Sequence, residues 1–91
     1  MLTIDQAKAA IRAILAPCDV KFTYGHFQET LTVKVCDAHG NLLDEPLTIP
    51  STLFGDKVAL ASILYSARER LSSKGYALAP WPADTLEPPH A

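Results

Sequence analysis

The spacing of apolar residues changes twice along the chain, and these changes restrict the folds that it can form. In residues 4–15 apolar side chains recur every three to four positions, as on one face of an α-helix. Thr3 and Gln6 have the spacing of a capping box, which predicts that a first helix begins after Thr3. Pro17 disfavours helical geometry at Ala16 and therefore ends this helix.

From residue 18 the period becomes two. Apolar and polar residues alternate over 18–24 and again over 31–36, which is the pattern of half-buried strands. A third strand is predicted over 42–49, although Glu45 and Pro46 interrupt its pattern. Because proline cannot donate to the ladder, this strand should lie at an edge of the sheet or carry a bulge at Pro46.

A helical period returns in the second half of the chain and continues to Leu71. Its start has two candidates, at residues 50–52 and at residues 55–56, and Gly75 has the position of a C-terminal cap. Arg68, Arg70 and Lys74 are near the end of this helix, where cations suit the helix dipole. The sequence therefore predicts an α+β fold of order α-β-β-β-α, a three-stranded antiparallel meander with two helices packed on one face.

The chain has 91 residues, which is enough for one domain. Residues 1–75 hold all of the periodic segments and are predicted to form it. Residues 76–91 contain four prolines and no period, which predicts an extended or partly disordered C-terminal tail.

The charge balance and the N-terminal residues indicate a class of protein. The formal net charge is −2, so the chain offers no electrostatic argument for nucleic acid or for an acidic membrane as a partner. No basic segment followed by an apolar stretch begins the chain, and no apolar run approaches the ~20 residues of a membrane span. We therefore expect a cytoplasmic protein that has no membrane partner.

Two cysteines, Cys18 and Cys36, are expected to be reduced thiols in the cytoplasm. The alternation places them on opposite faces of the sheet, where a disulfide cannot form. Cys18 shares a face with apolar residues and Cys36 with polar ones. This predicts a buried, inert Cys18 and a more accessible Cys36.

The stretch from Cys36 to Asn41 combines a thiol, a carboxylate and an imidazole. It lies between two strand patterns and has the residues of a turn, with Gly40 suited to positive φ. Structural zinc needs four ligands, and Cys36 with His39 supplies two. Glycine-rich phosphate loops and nucleophile motifs are also absent from the sequence. We predict a turn here, a non-catalytic protein, and no metal or cofactor.

The order of elements and several residues resemble the double-stranded RNA-binding domain. Gly25 and His26 stand where that family has a glycine and a histidine, and residues 32–35, Thr-Val-Lys-Val, match one of its strands. The family also has a lysine cluster at the start of its last helix, where residues 54–58 here contain Lys57 alone. If the resemblance extends to RNA binding, it implies a degenerate domain that uses His26, Lys34 and Lys57.

A second resemblance is to short, uncharacterised bacterial proteins, whose domain of unknown function has the same α-β-β-β-α order. It rests on the Ala-Pro-Cys of residues 16–18, on residues 32–35, on the Asp…Gly turn and on a last helix with Ser62-Ile63-Leu64. This resemblance implies the fold and a cytoplasmic setting, and it implies no activity.

The last helix has more apolar residues than one buried face requires. A second line of Val58, Ala61 and Tyr65 is either covered by helix 1 and the tail or exposed as a partner surface. Trp81 is either docked against the body or presented between two prolines, and Phe27 is either tucked under its loop or exposed. We predict a protein-binding adaptor, regulator or inhibitor that contacts another protein or a second copy through Val58, Ala61, Tyr65 and Trp81, with Phe27 next.

Overall fold

The computed structural model describes residues 2–25, 29–82 and 85–88. The elements follow the predicted order, with one additional short helix between the sheet and the last helix. They are α1 (Ile4–Ile14), β1 (Asp19–Gly25), β2 (Thr30–Cys36), β3 (Leu47–Pro50), α2 (Ser51–Phe54) and α3 (Lys57–Ser73). The predicted α+β class is confirmed.

The start of α1 is the predicted capping box. The backbone N–H of Gln6 donates to Thr3 Oγ1 at 3.1 Å, and the N–H of Thr3 donates to Gln6 Oε1 at 2.9 Å. These two bonds satisfy donors that the first helical turn would otherwise leave unpaired. The helix then buries one stripe of small and branched side chains, Ala7, Ala10, Ile11 and Ile14.

The sheet has the order β1-β2-β3 with both pairs antiparallel, as a meander requires. Phe22 pairs with Val33, and Val33 pairs with Leu47, so these three side chains lie on the inner face of the sheet. The outer face has a row of threonines, because Thr23 pairs with Thr32 and Thr32 with Thr48.

The third strand is shorter than predicted. Leu42 forms an isolated bridge with Cys36, and regular pairing begins again only at Leu47. Between these points residues 44–46 leave the ladder, since Pro46 has no N–H to contribute. The prediction that the third strand lies at an edge of the sheet is confirmed, and the predicted extent of 42–49 is wrong for this reason.

Both predicted helix starts are used. α2 begins after Pro50, and α3 begins after Asp56, whose Oδ1 accepts from the N–H of Val58 at 2.9 Å. At the other end, Gly75 has a φ of +94°, which favours glycine. The N–H of Tyr76 donates to the carbonyl of Leu71 at 3.1 Å, as in a Schellman motif.

The core lies between the inner face of the sheet and the helices, and it extends beyond residue 75. Leu86 is buried in the core, and Leu78 and Trp81 pack against it. The described residues of the tail therefore contribute to the core of the body. Among the described residues, no helix has the length and apolarity needed to cross a bilayer.

Candidate interaction surface

Exposed apolar side chains follow one flank of α3 into the tail. Val58 is 74% exposed and Tyr65 is 42% exposed. Seven residues separate them, so they lie on the same side of the helix two turns apart. Tyr76 is 39% exposed just after the helix ends. We call Val58, Tyr65, Tyr76 and the adjacent Trp81 the α3 strip.

Trp81 is docked, which is the first of the two predicted alternatives. Its ring centroid lies 6.3 Å from that of Tyr65, with the ring planes inclined at 46°. Its Nε1 donates to the carbonyl of Leu86 at 2.7 Å, so the polar end of the indole is satisfied. The two rings therefore form one fixed aromatic contact between α3 and the tail.

Arg68 ties three segments together next to this contact. One guanidinium nitrogen donates to the carbonyl of Ile14 at 2.6 Å, and the other donates to the carbonyl of Ala79 at 2.8 Å. The guanidinium carbon also lies 5.8 Å from the centroid of the Trp81 ring. The sequence suggested only a role at the helix dipole for Arg68, because neither carbonyl is close to it along the chain.

A cavity lies near each end of the α3 strip. The cavity beside Val58 has a volume of about 600 Å³. Its lining is Leu2, Gln6, Ala9, Ala10, Lys57, Val58, Thr85, Leu86 and Glu87. The cavity between Tyr65 and Tyr76 has a volume of about 460 Å³ and includes Arg68 and Glu69. Both linings combine apolar and polar side chains, which suits them to receiving side chains of a partner.

Ala61 does not belong to this surface. It is 2% exposed and packs in the core cluster with Leu60 and Leu64. The line through Val58, Ala61 and Tyr65 therefore divides, because Val58 and Tyr65 are exposed while Ala61 is buried in the core. Phe27, the remaining predicted contact, lies outside the described residues.

The two described residues of the RNA-binding alternative, Lys34 and Lys57, do not share a surface. Lys34 is exposed between the buried residues Val33 and Val35, so it lies on the outer face of the sheet. Lys57 begins α3 and lines the cavity between α1 and α3, on the helical side. His26 lies outside the described residues.

The stretch from Cys36 to Asn41 is a turn, as predicted. Asp37 Oδ1 accepts from the N–H of His39 at 2.8 Å and from that of Asn41 at 2.9 Å. These bonds, chiefly the one from Asn41, lower the pKa of the Asp37 carboxyl. Gly40 has a φ of +83°. No cluster of three potential ligands that could hold a metal ion occurs within the described residues.

The predicted accessibility of the two cysteines is reversed. Cys36 is 3% exposed, because Leu42 bridges to it and stands directly opposite on the same face. Cys18 is only partly buried, and burial raises the pKa of its thiol. Both are free thiols. The alternation of β2 did not reveal this, because the cover comes from the returning chain after the turn.

No protein-family model, curated protein or solved structure matches this chain. The resemblances to the double-stranded RNA-binding domain and to the uncharacterised bacterial proteins stay predictions.

Proposed function

We propose that this chain is a non-catalytic, cytoplasmic protein-binding module that acts as an adaptor, regulator or inhibitor through the α3 strip. The observation that carries the proposal is the exposure of Val58 and Tyr65 on a helix whose other side is fully packed. Exposed apolar patches on a folded domain are typical of interaction sites.

The rigidity of the strip supports the proposal. Tyr65 contacts Trp81, and Trp81 is fixed by its hydrogen bond to Leu86 and by Arg68. Aromatic side chains that are already held in place lose little entropy on binding, and they are common among the residues that dominate interface energies. The two cavities give a partner places in which to bury its own side chains.

The test is a comparison of proteins recovered from nuclease-treated extract by the tagged chain and by variants. The double variant Val58→Ser/Tyr65→Ser removes two exposed side chains and should leave the fold intact. Leu53→Ser is the matched control, because Leu53 is also an exposed apolar residue but lies on α2. We expect a partner, or a second copy, with the wild type and the control and its loss with the double variant.

Circular dichroism of each variant verifies the fold, and the single tryptophan gives a second measurement. Trp81 emission should shift when the purified partner is added. Equal recovery by the double variant would contradict the strip as the contact surface. Recovery that disappears with nuclease would contradict protein binding and favour RNA.

A further inference from the structure

All of the basic side chains except Lys57 fall into two groups. Three of the eight Lys and Arg residues are engaged in the fold: Arg68 with backbone carbonyls, and Arg70 and Lys74 with Asp44. Four others lie at or beside β1. These are Lys8 and Arg12 on α1, Lys21 on β1 and Lys34 on β2. None of the four has an ion pair within the described part of the chain.

β1 is an edge strand. It pairs with β2 on one side, and no strand of the described residues lies on the other. Along residues 19–23 the backbone groups that point away from β2 make no hydrogen bond to the described residues. A row of open N–H and C=O groups can pair with an extended segment of another chain.

The cations lie on both sides of this edge. On the inner side, Arg12 Cζ is 4.8 Å and Lys8 Nζ is 5.8 Å from the centroid of the Phe22 ring, which holds both cations above β1. On the outer side, Lys21 is exposed and stands directly opposite Lys34. An added strand would direct alternate side chains toward these two sides.

Two carboxylates belong to the same region. Asp19 begins β1, and Asp5 lies in the first turn of α1. They leave an excess of two positive charges among the six groups. Opposite lysines on neighbouring strands repel, so their arrangement is unfavourable for the isolated chain and favourable when negative charge is added.

The same charges argue against a second copy as the occupant. In a register centred on Lys21, antiparallel pairing of β1 with β1 of another copy would bring Lys21 opposite its own counterpart, with Lys8 and Arg12 of both copies nearby. Lysine on an edge strand is a common means of preventing such pairing. A segment with carboxylates at alternate positions meets no such repulsion.

We propose that the β1 edge, residues 19–23, binds an extended acidic segment of a partner protein as a fourth strand. The backbone of β1 supplies the hydrogen bonds. Arg12 and Lys8 on one side, and Lys21 with Lys34 on the other, select carboxylate side chains. This surface is separate from the α3 strip.

The first experiment uses the full chain labelled with ¹⁵N and a short peptide in which pairs of glutamates alternate with pairs of valines, so that carboxylates reach both sides of the added strand. We expect amide shifts along residues 19–23 and slower hydrogen exchange there, because a new ladder protects the edge amides. The same peptide with N-methyl groups on alternate residues cannot complete the ladder and should bind at least about tenfold more weakly. Equal binding of the N-methylated peptide would overturn strand addition.

The second experiment changes the charges. Arg12→Glu/Lys21→Glu should weaken peptide binding by at least about tenfold, since each change replaces an attraction with a repulsion. Lys57→Glu alters a cation outside the β1 group and should weaken binding by less than about twofold. A similar loss with Lys57→Glu would overturn a local role for the β1 cations.

Two further experiments distinguish this proposal from binding at the α3 strip and from binding of nucleic acid. The double variant Val58→Ser/Tyr65→Ser should bind the acidic peptide as the wild type does, whatever becomes of the α3 strip. Tighter binding of an oligouridylate than of the acidic peptide would overturn the choice of a protein segment and assign the surface to nucleic acid.

Discussion

The two edges of the sheet use their cations differently. Just before β3, Asp44 lies in the segment 44–46 that leaves the ladder, and it accepts from Arg70 Nε at 2.8 Å and from Lys74 Nζ at 2.9 Å. At the β1 edge, Lys21 faces Lys34 across the ladder, and neither lysine forms an ion pair with a described carboxylate. The charges beside β3 therefore stabilise the fold, whereas Lys21 and Lys34 repel each other.

This difference distinguishes the charges that stabilise the folded chain from those that do not. Asp44 has a side chain that is only 12% exposed, and it joins the segment before β3 to the end of α3. By contrast, Lys21 of β1 forms no ion pair with a described carboxylate, although Asp19 lies two residues before it on the same face of the strand. Cations that do not contribute to the stability of the isolated chain are the better candidates for contact with another molecule.

The largest expected effect tests the β3 edge. Asp44→Ala leaves Arg70 and Lys74 without their carboxylate and should lower the free energy of unfolding by about 1–2 kcal/mol. The figure is reduced because both cations are about half exposed, at 46% and 47%. Urea unfolding measures it.

The control for this substitution is Glu45→Ala at the next position, which is exposed. We expect a change within about 0.5 kcal/mol there. If Asp44→Ala and Glu45→Ala have equal effects, the ion pairs of Asp44 do not stabilise the fold, and the proposed difference between the two edges is wrong.

The pH dependence of stability should show the same contact. Hydrogen bonds from Arg70, and then from Lys74, lower the pKa of Asp44 from 3.8 to about 2. Because the folded pKa is below the unfolded one, the stabilisation is complete above the unfolded value and is lost as the pH falls from about 4 to 2.

A comparison with Asp44→Asn isolates this contribution, since Asp37, whose pKa is also lowered, titrates in both proteins. The difference in the free energy of unfolding between the wild type and Asp44→Asn should be constant from pH 5 to 7 and shrink below pH 4. A difference that stays constant down to pH 2 would contradict the ion-paired carboxylate.

Local patterns were sufficient to predict the fold. The Thr3–Gln6 capping box, the change of period at Cys18 and the proline in the third strand each act over a few residues, and each has its predicted effect. The burial of Cys36 depends on Leu42, which follows the turn. The alternation within β2 does not indicate that a residue outside the strand covers this cysteine.

The surface was predicted less completely, because its parts meet only in three dimensions. Val58 and Tyr65 were found from helical spacing, but the same spacing included Ala61, which is buried in the core. The ties from Arg68 to Ile14 and Ala79 join three separate segments. The open edge of β1 depends on strand order, which alternation alone does not determine.

The smallest expected effect tests the β1 edge. Lys34→Glu replaces a repulsive cross-strand pair with an attractive one and should raise the free energy of unfolding by about 0.2–1 kcal/mol. The control is Lys34→Gln, which removes the repulsion without adding an attraction and should therefore give a smaller gain. The gain from Lys34→Glu should decrease with added salt, because both lysines are exposed and their interaction is screened. A loss of stability with Lys34→Glu would mean that Lys34 already has a stabilising role in the fold, and the contrast between the two edges would then be wrong at β1.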